Sequence, residues 1–177
     1  MRFLETPLAG VWVVEPDRLT DERGYFARTF CEGAFAERGL ATHWVQCNTS
    51  YNRHRGTLRG MHYQAAPHGE AKLIRCTRGA LFDVVVDLRA NSPTRGRWFG
   101  VELSAETGRM LYVPEGLAHG FQTLEDATEV FYQMSHAYVP EAARGVRWDD
   151  PAFAIAWPES GARVISERDR TYPDWRP

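Results

Sequence analysis

A chain of 177 residues suffices for one well-cored domain, and its 44% hydrophobic and 25% charged residues exclude a disordered or fibrous protein. The formal charge of -2 comes from interspersed acids and bases, so there is no basic field for nucleic acid, and an anionic ligand needs a local cluster. No run is apolar for long enough to span a bilayer as a helix, so no membrane partner is expected.

The opening Met1-Arg2-Phe3-Leu4-Glu5-Thr6-Pro7 has charges and a proline where a secretion signal needs an apolar run, so a cytoplasmic protein is expected. Runs rich in Val, Phe, Tyr and Trp then recur between turn residues and predict strands over Val11 to Glu15, Tyr25 to Phe30 and Trp44 to Ser50. Between the last two, Cys31 to Arg38 predicts a short helix ended by Gly39. Further strands are predicted over Leu73 to Cys76, Leu81 to Leu88, Trp98 to Leu103, Met110 to Val113, His119 to Leu124 and Glu129 to Met134. The tail after Trp157 is polar and turn-rich, yet Val164, Ile165, Tyr172 and Trp175 equip it to pack back on the body.

Many closely spaced strands predict an all-β sandwich or barrel with minor short helices. No repeat or linker divides the chain, so residues 1–177 are expected to form one domain. Cys31, Cys47 and Cys76 are odd in number and lack a C-x-x-C pair, which suggests buried thiols rather than disulfides or a zinc knuckle. The sequon Asn48-Thr49-Ser50 is read as accidental without an export signal. The apolar run Leu81-Phe82-Asp83-Val84-Val85-Val86 is expected at a sheet edge, where pairing with a second copy would cover it, so a homodimer is expected.

Two segments carry chemistry. In Arg55-Gly56-Thr57-Leu58-Arg59-Gly60-Met61-His62-Tyr63-Gln64, strand alternation puts Gly60, His62 and Gln64 on one face and turns His62 into the barrel mouth. An isolated histidine is more often a satisfied core residue, but the neighbouring arginines and lysine favour a functional one. Pro114-Glu115-Gly116-Leu117-Ala118-His119 has the P-x-G-x-x-H spacing of the second cupin half-motif, which predicts a cupin-type jelly-roll barrel. Metal-binding cupins add H-x-H and a glutamate from the first half-motif. Here that half reads His62-Tyr63-Gln64; a neutral amide replaces the second imidazole, and Glu70 alone leaves the set short. No metal and no other cofactor are expected.

His62, Lys72, His119 and Tyr132 remain in the mouth. A histidine base, a lysine cation facing an enolate oxygen and a tyrosine acid on the opposite side suit epimerisation beside a carbonyl. Singly, each has a plainer role: Lys72 a solvated strand end, Tyr132 an edge aromatic, His119 a turn residue.

The blocks Asp21-Glu22-Arg23-Gly24-Tyr25-Phe26, Leu58 to Gln64, Lys72-Leu73-Ile74-Arg75-Cys76, Asn91-Ser92-Pro93-Thr94, Val113 to Phe121, Trp148-Asp149-Asp150-Pro151, Trp157-Pro158 and Ser166-Glu167-Arg168-Asp169 span nearly the whole chain. Through them it resembles the dTDP-4-dehydrorhamnose 3,5-epimerase family, cupin-like enzymes acting on nucleotide-linked 4-keto-6-deoxy sugars. The resemblance implies His62 as base, Asp169 as its carboxylate partner, Tyr132 as proton donor and Lys72 facing the keto oxygen. It assigns Arg23, Arg59 and His119 to the diphosphate and sugar, Gln46 and Asn48 to the strand reaching the ligand, and Tyr138 to stacking on the base. Phe26, Arg28 and Arg168 are implied as further substrate contacts.

Three positions depart from the family pattern: Arg28 and Ala143 stand where glutamates are usual, and Cys47 replaces an aspartate. These changes bear on base or ribose recognition more than on chemistry, leaving thymidine and cytidine sugars both open. Inversion at C3 alone, a ketoisomerase, a metal-dependent cupin oxygenase and a non-catalytic sugar-nucleotide binding module are the alternatives.

Overall fold

The computed structural model describes residues 1–176. In chain order its strands are β1 (Arg2–Glu5), β2 (Trp12–Glu15), β3 (Arg18–Asp21), β4 (Gly24–Ala27), β5 (Gln46–Asn52), β6 (Leu58–Gln64) and β7 (Lys72–Arg78). There follow β8 (Ala80–Asp87), β9 (Trp98–Ser104), β10 (Met110–Val113), β11 (Leu117–Thr123), β12 (Thr128–Met134) and β13 (Ala143–Gly145). Helices α1 (Glu32–Ala36) and α2 (Glu167–Arg170) are short. One sheet runs β1-β2-β10-β7-β12-β5, a second runs β13-β6-β11-β8-β9, and β3 pairs only with β4. This is the expected jelly roll. No helix among the described residues is long and apolar enough to cross a membrane.

Strand alternation builds the layers. Val11 and Val13 enter the core between the sheets with Ile74, Leu81, Val85, Leu111, Phe121 and Val130, while Val14 points outward. That outer face is closed by α1, whose Phe35 is fully buried against Phe3, Phe30 and Tyr112. The outer face of the second sheet carries Met61, Val84, Val86 and Ala118, covered by Phe153, Trp157 and Trp175 from the returning tail.

The run at 81–86 is therefore no sheet edge, contrary to expectation. Strand β8 lies between β11 and β9, and both its faces are covered by its own chain. Its nearly continuous apolar character reflects burial on two sides. Three short strands were absent from the expectation. β3 is exposed throughout and β1 mostly so, and β13 reads Ala-Arg-Gly, so none shows apolar alternation. The predicted strand at 25–30 stops at Ala27, and Trp44 and Val45 precede β5.

One irregularity sets up the interior. Along β6 and β11 the register steps from His62 opposite His119 to Arg59 opposite Phe121, so β6 holds one extra residue. The extra residue reverses side-chain parity and turns both Arg59 and His62 into the same cavity. Gly60 sits within the step at φ +136°, where an added Cβ would lie 2.5 Å from the Gly120 Cα.

At the end of β8, fully buried Asp87 accepts hydrogen bonds from Arg89 Nε at 2.9 Å, Ser92 Oγ at 2.5 Å and Thr94 Oγ1 at 2.7 Å, which anchors the Asn91–Thr94 loop. Burial opposes its charge, but these donors outweigh burial and hold the carboxyl well below the ordinary range. A depressed folded-state pKa stabilises the fold above about pH 4, and that contribution is lost as pH falls further. Asp87→Asn should cost about 1–3 kcal/mol near neutrality, read as a Tm lower by about 2–4 °C per kcal/mol. The gap to wild type should narrow in melts below about pH 4; a constant gap would contradict this role.

Candidate active site

Between the two sheets opens a cavity of about 370 Å³. Arg59 and His62 reach it from β6 and His119 from β11, while Asn48, Lys72 and Tyr132 reach it from β5, β7 and β12 of the facing sheet. The cavity therefore has two chemically distinct walls.

On the first wall, His62 Nε2 lies 2.7 Å from Asp169 Oδ1. Asp169 is placed by α2, whose N-cap Ser166 accepts the Asp169 backbone N–H. Its second oxygen accepts the Gly60 N–H at 3.2 Å. Burial opposes the charge of Asp169, but His62, Gly60 and Ser166 together lower its pKa below the ordinary value. The carboxylate thus stays ionised behind the imidazole and leaves the second ring nitrogen free for a substrate proton. Tyr172 meets the His62 ring edge-on at 6.0 Å, seated where Gly145 leaves no Cβ in its way.

On the facing wall, the Tyr132 ring meets the His119 ring edge-on at 6.1 Å. Burial, with Asp83 next, pushes the Tyr132 hydroxyl far above the ordinary phenol range, opposed by Arg59 and Ser50. Tyr132 is therefore a neutral proton donor at any pH near neutrality. His119 Nε2 is bound to the fully buried Asp83 carboxylate at 2.6 Å, which makes a second imidazole–carboxylate pair. Lys72 Nζ pairs with Glu70 at 3.0 Å.

Around the rim, Arg59 Nε is held by Asn52 Oδ1 at 2.8 Å. Gln46 lies behind this surface; it donates to Asn48 Oδ1 at 3.1 Å and accepts the Tyr138 N–H at 3.0 Å, fixing the loop of the exposed Tyr138. Arg168 lines the same rim, its positive charge favoured by hydrogen bonding to Tyr138. Ala143 lines the cavity and leaves Arg144 beside it as a further cation.

Arg23, Phe26 and Arg28 are not brought to this cavity. Arg23 pairs with Asp21 at the β3–β4 turn, Phe26 is 68% exposed beside a different groove, and Arg28 is exposed near Cys31. Sequence reasoning in turn missed Asp83 and the pairing of Glu70 with Lys72. Asp83 lies inside an apolar run; a lone acid at an inward position of a buried strand was the available signal. Among the described residues no group of three or more His, Cys, Asp or Glu side chains is arranged to hold a metal ion.

Residues 5–176 match the family model described as dTDP-4-dehydrorhamnose 3,5-epimerase. An enzyme of that name from Methanothermobacter thermautotrophicus is 48% identical over 99% of this chain and 94% of its own. The crystal structure of another, from Elizabethkingia anophelis, superposes with a TM-score of 0.95 at 40% identity, covering 99% of this chain and 96% of that one. The structure of ChmJ, a 3'-monoepimerase from Streptomyces bikiniensis in complex with dTDP-quinovose, gives a TM-score of 0.89 at 37% identity over 96% of this chain and 85% of its own. With its cupin barrel and facing histidine and tyrosine, the chain belongs to the dTDP-4-dehydrorhamnose 3,5-epimerase family.

Proposed function

We propose that this enzyme inverts C3 and then C5 of a dTDP-linked 4-keto-6-deoxyhexose, without a metal, in the cytoplasm. The observation that carries the mechanism is the opposition of a carboxylate-backed His62 to a neutral Tyr132 across one cavity. His62 takes the C3 proton; the C–H electron pair becomes the C3–C4 double bond and the carbonyl oxygen becomes an enolate oxygen facing Lys72. The double bond then takes a proton from Tyr132 on the other face, the carbonyl re-forms, and solvent restores both groups. A second cycle at C5 follows the same route. Arg59, His119 and Arg168 serve the diphosphate, Asn48 the strand beside it and Tyr138 the base, with Gln46 bracing Asn48 and Tyr138 from behind. Three free cysteines suit a reducing compartment.

Thymidine is supported by the names of the relatives, whereas Ala143 and Arg28 remove acceptors from positions that carry glutamate in the family. Incubation with dTDP- and CDP-4-keto-6-deoxyglucose in D2O separates the cases. Deuterium should enter at C3 and C5 of the dTDP sugar; exchange at C3 alone would make the protein a monoepimerase, and no exchange with either sugar would refute the function. His62→Ala and Asp169→Asn should each lower kcat by about 10²–10⁴-fold with melting retained, and near wild-type turnover would contradict the base assignment.

The working unit in this reading is a homodimer. Leu19, Tyr25 and Phe26 are 69%, 56% and 68% exposed on the β3–β4 hairpin, an apolar surface that a second copy would bury. Strand β5 also leaves one edge unpaired. Laid on a neighbouring copy, the hairpin would bring Arg23, Phe26 and Arg28 toward substrate, which accounts for their distance from the cavity of their own chain. Sedimentation should give a dimer, and Phe26→Asp should shift it toward monomer with a raised KM. A monomeric wild type at full activity would overturn this arrangement.

A further inference from the structure

The buried pair behind the enolate position has a second layer. Lys72 and Glu70 are 6% and 9% exposed, and Glu70 Oε1 lies 3.0 Å from Lys72 Nζ. The other Glu70 oxygen accepts from Gln64 Nε2 at 2.9 Å. The two hydrogens of that nitrogen are shared among Glu70 and the carbonyls of His68 at 3.1 Å and Ala137 at 3.2 Å, while the Gln64 amide oxygen accepts the Val139 N–H at 2.6 Å. Every polar atom of the Gln64 side chain is thereby engaged, and the amide cannot turn without breaking several bonds.

His62, Gln64, Glu70 and His119 occupy the four sequence positions at which metal-binding cupins carry their ligands. In this chain Glu70 faces an ammonium instead: Nζ of Lys72 also lies 3.4 Å from the His62 carbonyl oxygen. A lysine side chain is long and flexible, and a buried ammonium without a counter-charge is disfavoured. A carboxylate locked by an amide answers both problems, giving Nζ a counter-charge at 3.0 Å and fixing where it points.

We propose that Glu70 is a positioning residue for the reaction: braced by Gln64, it fixes the Lys72 ammonium against the enolate oxygen, so that a lysine does the work a metal ion does in other cupins. This rests on the epimerase function proposed above. Glu70 lines the cavity beside Lys72, and in this role it acts through the ammonium it holds, which makes its effect dependent on Lys72. A general packing role would not.

A double-mutant cycle tests that dependence, reading the rate of C3 deuterium uptake from D2O together with dTDP affinity. Glu70→Gln should slow exchange by about 10- to 100-fold while dTDP binds within about twofold of wild type. In a Lys72→Gln background the same change should alter the rate by no more than about twofold. Glu70→Asp, which keeps the charge at shorter reach, should retain more activity than Glu70→Gln. Additive losses, or Gln outperforming Asp, would overturn the positioning role while wild-type exchange leaves the epimerase function standing. Absence of exchange in the wild type would refute both.

Discussion

The carboxylate of Asp169 binds β6 at two points, the imidazole of His62 and the backbone N–H of Gly60, and the geometry of the catalytic wall depends on that bridge. Gly60 lies where the strand carries its extra residue, and that residue turns Arg59 and His62 into one cavity. One acid from the C-terminal helix thus orients His62, the proposed base, and braces the irregular stretch of strand that aims it. The tail earns its place energetically by covering the outer face of the second sheet with Phe153, Trp157 and Trp175, so folding of the core and assembly of the site are linked.

A common arrangement recurs around the cavity. His62, Lys72 and His119 each have a carboxylate partner, and the Asp169, Glu70 and Asp83 side chains are 6%, 7% and 0% exposed. The acids lie behind, so the cavity is lined by an imidazole, His62, and by donors, Lys72 and His119, whose orientations are already set. Fixed donors of this kind stabilise a forming enolate and a diphosphate without reorganising during the reaction. Asp83 also acts on Tyr132, the proposed acid, since its charge joins burial in keeping the phenol proton in place.

Much of this was legible in the sequence where periodicity or a spaced motif reports on local structure. Val11, Val13 and Val14 announced β2, Gly39 marked the end of the helical turn, and the P-x-G-x-x-H spacing around His119 identified the barrel. What stayed hidden depends on contacts between distant segments. Asp169 is 107 residues from His62 and was reached through family resemblance alone. Asp83 sat in a run whose apolar neighbours suggested an edge, although burial on both faces was the cause. Simple alternation placed His62 correctly but missed the extra residue that brings Arg59 to the same side, because no periodic pattern encodes a register step. The β3–β4 hairpin shows the converse: its motif resembles a substrate-binding segment, yet its residues lie away from the cavity of their own chain.

The proposed mechanism has base and acid working from opposite faces of the sugar, and the Tyr132→Phe variant isolates that opposition. With dTDP-4-keto-6-deoxyglucose in D2O, NMR reads both the label and the configuration at C3. With the acid removed, His62 should withdraw the C3 proton, exchange it with D2O and return a deuteron to the same face, so deuterium should appear at C3 with configuration retained. Inversion at the wild-type rate would rule out Tyr132 as the acid.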